Sequence, residues 1–127
     1  MYKPKLRFIT GRYAICRLDS ATPVPTWAVQ GGFFSVTRTD DELSIVCEES
    51  LAPEEVLCVR GYSAIKVLGP LDFSLKGILS SISAVLAEAG VSIFALSTYD
   101  TDYILMRESD KECAAQALID AGYIILA

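Results

Sequence analysis

Three short stretches carry the residue types that could do chemistry. The first is Gly69-Pro70-Leu71-Asp72-Phe73-Ser74-Leu75-Lys76-Gly77, which follows an apolar run and leads into a helical pattern. A helix start leaves several backbone N–H groups unpaired and carries partial positive charge, so it can hold a carboxylate or a phosphate. Gly77 places no side chain over that turn, and a ligand can approach its backbone. Asp72 offers the opposite charge and could receive an ammonium group. A carboxylate on the N–H groups and an ammonium on Asp72 are the two ends of a free amino acid. On the residues alone, a plainer reading is that Asp72 or Ser74 caps the helix and Gly77 lets it pack closely. The second stretch is Ser92-Ile93-Phe94. At a sheet edge its backbone would be open to a ligand or a partner strand; inside a sheet, Ile93 and Phe94 are core. The third is Ser97-Thr98-Tyr99-Asp100-Thr101-Asp102, where carboxylates and hydroxyls gather. Its spacing does not match a calcium loop. Ordinary turn chemistry accounts for its Asp and Thr residues, and no metal is expected.

Composition removes most catalytic alternatives. The 127 residues include no His, which excludes Ser-His-Asp and Cys-His machinery and most catalytic zinc sites. General acid–base work would fall to carboxylates, Lys, Tyr or Cys. No nucleophile–base pair marks an active site, so no catalytic residue and no cofactor is assigned. Eleven Lys plus Arg against sixteen Asp plus Glu, a net charge of −5, disfavours nucleic acid as a partner. With 52% hydrophobic and 21% charged residues the chain is expected to fold. Its apolar runs are too short to span a bilayer, and Met1-Tyr2-Lys3-Pro4-Lys5 lacks the apolar core of a signal peptide. No membrane partner and a cytoplasmic location are therefore expected. Cys16, Cys47, Cys58 and Cys113 form no CxxC pair. Cys16 and Cys47 sit in strand-like runs and Cys113 on the apolar side of a helix, so buried, reduced thiols are the expectation.

The elements that position these residues are clearest in the second half. Residues 63–68 read as a strand. Leu75, Ile78, Leu79, Ile82, Val85, Leu86 and Ala89 then recur at helical spacing, with Ser74 as a cap and Gly90 after the end. Residues 91–97 and 103–106 form a hairpin around the Tyr99 turn. A second helix starts at Ser109, with Glu112 completing a capping box and Ala114, Ala117, Leu118 and Ala121 beside Cys113 on its apolar face. Residues 123–126 make a last strand. The order β-α-β-β-α-β is the ferredoxin-like unit of an α+β fold, with two helices on one face of a four-stranded antiparallel sheet.

The first half repeats that order in shortened form. Strands are expected at 12–18, 33–37, 43–47 and 57–59, with one turn of helix at Thr26 to Gln30 and a short helix from Pro53. Trp27 is expected to plug the space that a longer helix would fill. A shift of 60 residues lays Phe34 on Phe94, Asp40 on Asp100 and Ile45 on Leu105, which supports two sister subdomains, 1–62 and 63–127. Subdomains of this size have thin cores and open sheet edges, which makes a homodimer plausible as well.

The stretches 69–79, 86–94 and 97–105, with Pro25-Thr26-Trp27-Ala28 and 39–46 in the first half, resemble small stand-alone bacterial proteins with two tandem ACT domains. Those domains are similar to the ACT domains of aspartate kinases and of the cytosolic arginine sensor of animals. The resemblance covers nearly the whole chain and implies a regulatory module that binds an amino acid between paired domains. In the aspartate-kinase type the ligand's polar end meets the loop before the first helix and the following strand. Carried over, this implies ligand binding at Leu71, Asp72, Phe73, Ser74, Leu75, Gly77, Ser92, Ile93 and Phe94. The stretch around Tyr99, Asp100 and Asp102 resembles a partner-protein contact of the arginine sensor. The first half has no Gly-rich loop or full first helix, so the second half is where a ligand is expected.

The reading is a non-catalytic sensor for an amino acid or similar small molecule, passing its state to a regulated partner protein. The alternative is an interaction module without a small ligand, holding a partner enzyme through strand edges.

Overall fold

The computed structural model describes residues 2–69, 71–72 and 76–127. Among them are eight strands: β1 (Leu6–Phe8), β2 (Tyr13–Leu18), β3 (Ser35–Arg38), β4 (Leu43–Glu48), β5 (Leu57–Val67), β6 (Phe94–Ser97), β7 (Asp102–Arg107) and β8 (Ile125–Leu126). The α-helices are α1 (Ile78–Glu88) and α2 (Lys111–Asp120), with 3-10 turns at Thr26–Val29, Glu49–Leu51 and Glu108–Asp110. The chain divides into two compact units, Gly11–Tyr62 and Met1–Thr10 with Ser63–Ala127.

In the unit Gly11–Tyr62 the strand order is β3-β4-β2-β5. Alternation along β2 and β4 sends Ala14, Cys16, Leu43, Ile45 and Cys47 to one face, where they pack with Ala28 of the 3-10 turn. Trp27 packs against this core but is only half-buried; the fully buried residue of the turn is Ala28. Ladder pairs run Tyr13↔Tyr62 and then Ile15↔Val59, so β5 carries one extra residue between them. Gly61 supplies the left-handed backbone this bulge requires, at φ 78°. The bulge carries the strand on through 60–62, so the two strands expected at 57–59 and 63–68 are one. The short helix expected from Pro53 is absent. The 3-10 turn comes earlier, at Glu49–Leu51, and the Arg60 guanidinium donates to the Glu49, Ala52 and Pro53 carbonyls instead.

In the other unit the order is β8-β1-β5-β7-β6. Alternate residues of β5 (Ile65, Val67) and β7 (Ile104, Met106) meet Ile78, Ile82 and Leu86 of α1 and Ala114 and Leu118 of α2 in one core. The i, i+4, i+8 spacing on α1 makes this a single stripe. Burying a side chain such as Ile82 or Leu86 contributes about 1.5–3 kcal/mol each. Strand β1 lies outside the expected pattern. It pairs antiparallel with β5 at Leu6↔Val67 and parallel with β8 at Leu6↔Ile125. Hence β8 hydrogen-bonds to β1 rather than to β5, and among the described residues this unit's sheet has five strands, with β1 and β8 parallel, instead of four antiparallel ones.

The helix ends also differ from expectation. Helix α1 starts after Gly77, whose φ of 76° is left-handed, with no side-chain cap; Ser74 and Leu75 lie outside the described residues. Gly90 follows α1 at φ 81°. The Ser109–Glu112 capping box is not made, because Ser109 lies inside the 3-10 turn Glu108–Asp110. That turn hands helical backbone directly to α2 through Asp110, at φ −97° and ψ −3°. Cys113 is exposed. The buried stripe of α2 is centred on Ala114 and Leu118, and Cys113 stands off it, toward α1, with Sγ 3.8 Å from the Ala89 carbonyl.

The internal repeat is real in register but its offset is 59, not 60. The hairpin closes at Arg38↔Leu43 in one unit and at Ser97↔Asp102 in the other. In each, the first turn residue is Thr. Its N–H donates to a carbonyl three residues on, Thr39 to Glu42 at 2.9 Å and Thr98 to Thr101 at 2.8 Å, and its hydroxyl donates to that same oxygen. The 3-10 turns Glu49–Leu51 and Glu108–Asp110 keep the same offset. Their leading carboxylates both hold β5, Glu49 through the Gly61 N–H and Glu108 through the Ser63 hydroxyl.

Candidate functional site

The 97–102 turn and the start of α1 meet in a cavity of about 300 Å³ within the unit that holds both helices. Its walls are Leu71 and Asp72, residues 77–80, and residues 97–102. Three contacts hold these segments together. The Leu71 N–H donates to the Asp100 carbonyl at 2.7 Å. Thr101, 4% exposed, donates its hydroxyl to the Val67 carbonyl at the end of β5. Gly69 lets the chain pass close by, since a Cβ there would stand 2.8 Å from the Leu71 nitrogen and 3.0 Å from the Asp100 oxygen. Both neighbours are backbone, so neither can move aside cheaply.

The cavity has two electrostatic characters. On one side is the start of α1. The first intrahelical bond runs from the Ser81 N–H to the Gly77 carbonyl at 2.8 Å. The N–H groups of Ile78, Leu79 and Ser80 precede it and have no acceptor within the helix, and Gly77 has no side chain to cap them. That wall favours an anionic group. The same cavity is also lined by the acidic residues Asp72, Asp100 and Asp102. Asp102 accepts a hydrogen bond from the Ser97 hydroxyl at 2.5 Å, which holds one of its oxygens and orients the group. Tyr99, 81% exposed, stands in the rim.

The structure thus brings Leu71, Asp72 and Gly77, expected at the ligand, together with Tyr99, Asp100 and Asp102, expected at a partner protein. Ser92, Ile93 and Phe94 are not in the described walls. Ser92 is exposed, Ile93 packs against the helical core, and Phe94 begins β6 opposite Leu105. Phe73, Ser74 and Leu75 lie outside the described residues. Thr101 and the bond from Leu71 to Asp100 escaped the sequence reading. Repeat alignment at offset 59 would have matched Thr98 to Thr39 as turn-closing residues, but no local signal marks the Thr101 hydroxyl for burial. Among the described residues no group of three or more Cys, Asp or Glu could hold a metal ion. No helix among them is long and apolar enough to cross a membrane.

The residues of chemical interest in the other unit are thiols. Cys16 and Cys58 face each other across β2 and β5 with sulfurs 2.6 Å apart. Burial, then the hydrogen bond with Cys58, pushes the Cys16 thiol well above its ordinary range. Burial pushes Cys47 up as well.

Comparison with known proteins agrees with this architecture. The cytosolic arginine sensor for mTORC1 subunit 1 of Bos taurus is 36% identical over 97 residues, covering 68% of this chain and 30% of that protein. The chain thus spans about a third of the length of that curated relative. A crystal structure of a protein from Agobacterium tumefaciens is 42% identical, covers 99% of this chain and 94% of its own, and superposes with a TM-score of 0.94. The regulatory subunit of aspartate kinase from Thermus flavus shares the fold, with a TM-score of 0.65 at 10% identity, covering 95% of this chain and 99% of its own. Residues 11–55 match a family model described as an N-terminal domain. Residues 57–120, which hold β5, both helices and every described wall of the cavity, match the model of the ACT domain, and the chain belongs to the ACT domain family.

Proposed function

We propose that this protein is a non-catalytic regulatory sensor that binds a free amino acid in the cavity between the start of α1 and the 97–102 turn. The observation that carries the reading is one cavity of about 300 Å³ lined both by the start of α1, where Gly77 provides no side-chain cap, and by Asp72, Asp100 and Asp102. The ligand carboxylate sits at the N–H groups of residues 78–80, and its ammonium faces Asp72 and Asp100. A cationic side chain would be favoured further by Asp102. The volume suits an amino acid and little more. Similarity to an arginine sensor and to the fold of an aspartate-kinase regulatory subunit supports the same class of ligand. The residues assigned to binding are Leu71, Asp72, Phe73, Ser74, Leu75 and Gly77, with Tyr99, Asp100 and Asp102 contributing from the turn. Ser92, Ile93 and Phe94, outside the described walls of this cavity, stay proposed as ligand-binding residues at an interface between paired domains.

Binding favours one packing of the domains and so reports ligand level. The exposed Tyr99 at the rim is where that state reaches a partner protein. A thermal-shift screen against the twenty amino acids tests the proposal. Ligand at a hundred times its dissociation constant adds about 2.7 kcal/mol of stability. At least one amino acid should raise the unfolding temperature, and Asp72→Ala should abolish that rise. A flat response to all twenty would contradict the sensor reading.

A further inference from the structure

We infer that Cys16 and Cys58 form an oxidation site that closes to an intramolecular disulfide when the protein meets a peroxide. The two residues are direct partners in the antiparallel ladder between β2 and β5. Directly opposed residues bring their Cβ atoms to about 4.5–5.5 Å, near the ~3.5–4.5 Å that a disulfide spans. Their sulfurs already face each other at 2.6 Å, so bond formation needs only a small further approach of the two side chains. The flanking pairs, Ile15↔Val59 and Arg17↔Leu57, hold the register on both sides.

The two thiols differ in access. Cys16 is 2% exposed, whereas Cys58 is half-buried. Peroxide therefore reaches Cys58 first. The Cys58 sulfur attacks one peroxide oxygen, the O–O bond breaks, one water leaves, and a sulfenic acid remains. The Cys16 sulfur then attacks the Cys58 sulfur, the S–O bond breaks, and a second water leaves. In total, two S–H bonds and one O–O bond are lost, one S–S bond forms, and two electrons pass from the sulfurs to the peroxide. Cys47 also hydrogen-bonds Cys16, but it lies on β4, with β2 between it and the Cys58 strand β5, so Cys16 and not Cys47 is the resolving thiol. Burial holds the Cys16 thiol above its ordinary range, and the greater access of Cys58 makes it the entry point.

The bond joins positions 42 residues apart, near the two ends of the unit Gly11–Tyr62. It locks β5 onto β2 and raises the resistance of that unit to unfolding.

The test treats the purified chain with hydrogen peroxide, denatures it, and labels free thiols with N-ethylmaleimide. Cleavage by trypsin with a Glu-specific protease separates Cys47 from Cys58. The expected result is uptake of two labels instead of four, a loss of two hydrogens in mass, and a peptide pair joining Cys16 to Cys58. Dithiothreitol should restore four labels, and the oxidised chain should unfold at a higher temperature. The Cys58→Ser variant should keep all three remaining thiols free after the same treatment. Four labels on the treated protein would overturn the inference. So would a Cys58 sulfinic acid with Cys16 free, a Cys16–Cys47 link, or a dimer joined through Cys113. Peptide mapping of the unaltered chain decides among these even if the variant does not fold.

Discussion

At the scale of single residues, the cavity depends on a few atoms that nothing else can replace. Thr101 puts a buried hydroxyl on the Val67 carbonyl and so pins the 97–102 turn to the end of β5. Thr101→Val keeps the shape and removes the donor, which should cost about 1–2 kcal/mol in urea unfolding. Gly69→Ala places a methyl against two backbone atoms. It should destabilise by about 1–3 kcal/mol and weaken the amino-acid response more than Thr101→Val does, because the displaced atoms carry Asp72. The thiols make a pH prediction. Cys16 and Cys47 hold their protons in the folded chain above the ordinary thiol value of 9.0, because burial penalises the thiolate. Below that value both states are protonated and this contribution is flat. Above it the unfolded chain loses protons first, so stability falls as pH rises. Urea midpoints measured under reducing conditions should drop from about pH 9 upward, and Cys16→Ala with Cys47→Ala should show a shallower drop; an equal slope in the double variant would remove the thiols as its cause.

At the scale of elements, much of the fold was legible because it follows from period. The spacing of Ile78, Ile82 and Leu86 gives α1, the alternation in Tyr13–Leu18 gives β2, and both hairpins follow from apolar runs around polar turns. What was not legible depends on pairing across distance. Strand β1 is only three residues long, and no period can mark it. Its place between β5 and β8 exists only because Leu6 finds Val67 on one side and Ile125 on the other. The continuity of β5 was hidden by Gly61, which reads as a breaker and acts as the turn of a bulge. The candidate site was half legible. Helix-start chemistry pointed to Asp72 and Gly77, but no local signal marks the long-range contacts, such as the bond from Leu71 to Asp100, that bring the Tyr99 turn against them. Gly77 makes the element-scale prediction. Its left-handed backbone starts α1 without a side-chain cap. Gly77→Val should cost about 1–3 kcal/mol through strain at that conformation and close the N–H wall to a ligand.

At the scale of the whole chain, the two units repeat one hairpin and one 3-10 turn at an offset of 59 and differ in what joins them to the sheet. The unit Gly11–Tyr62 has a 3-10 turn, Thr26–Val29, where its sister has the eleven-residue α1. A four-residue turn offers no helix-length stack of N–H groups, so a single amino-acid site is expected in the chain, in the unit with α1. An amide-resolved NMR titration with the amino acid that gives the largest thermal shift tests this most directly. The account predicts that the amide signals of Ile78, Leu79 and Ser80 and those of the 98–101 turn move together and saturate with one dissociation constant, and that Asp72→Ala removes the movement. Shifts centred instead on the Thr26–Val29 turn, or none at millimolar ligand, would contradict it.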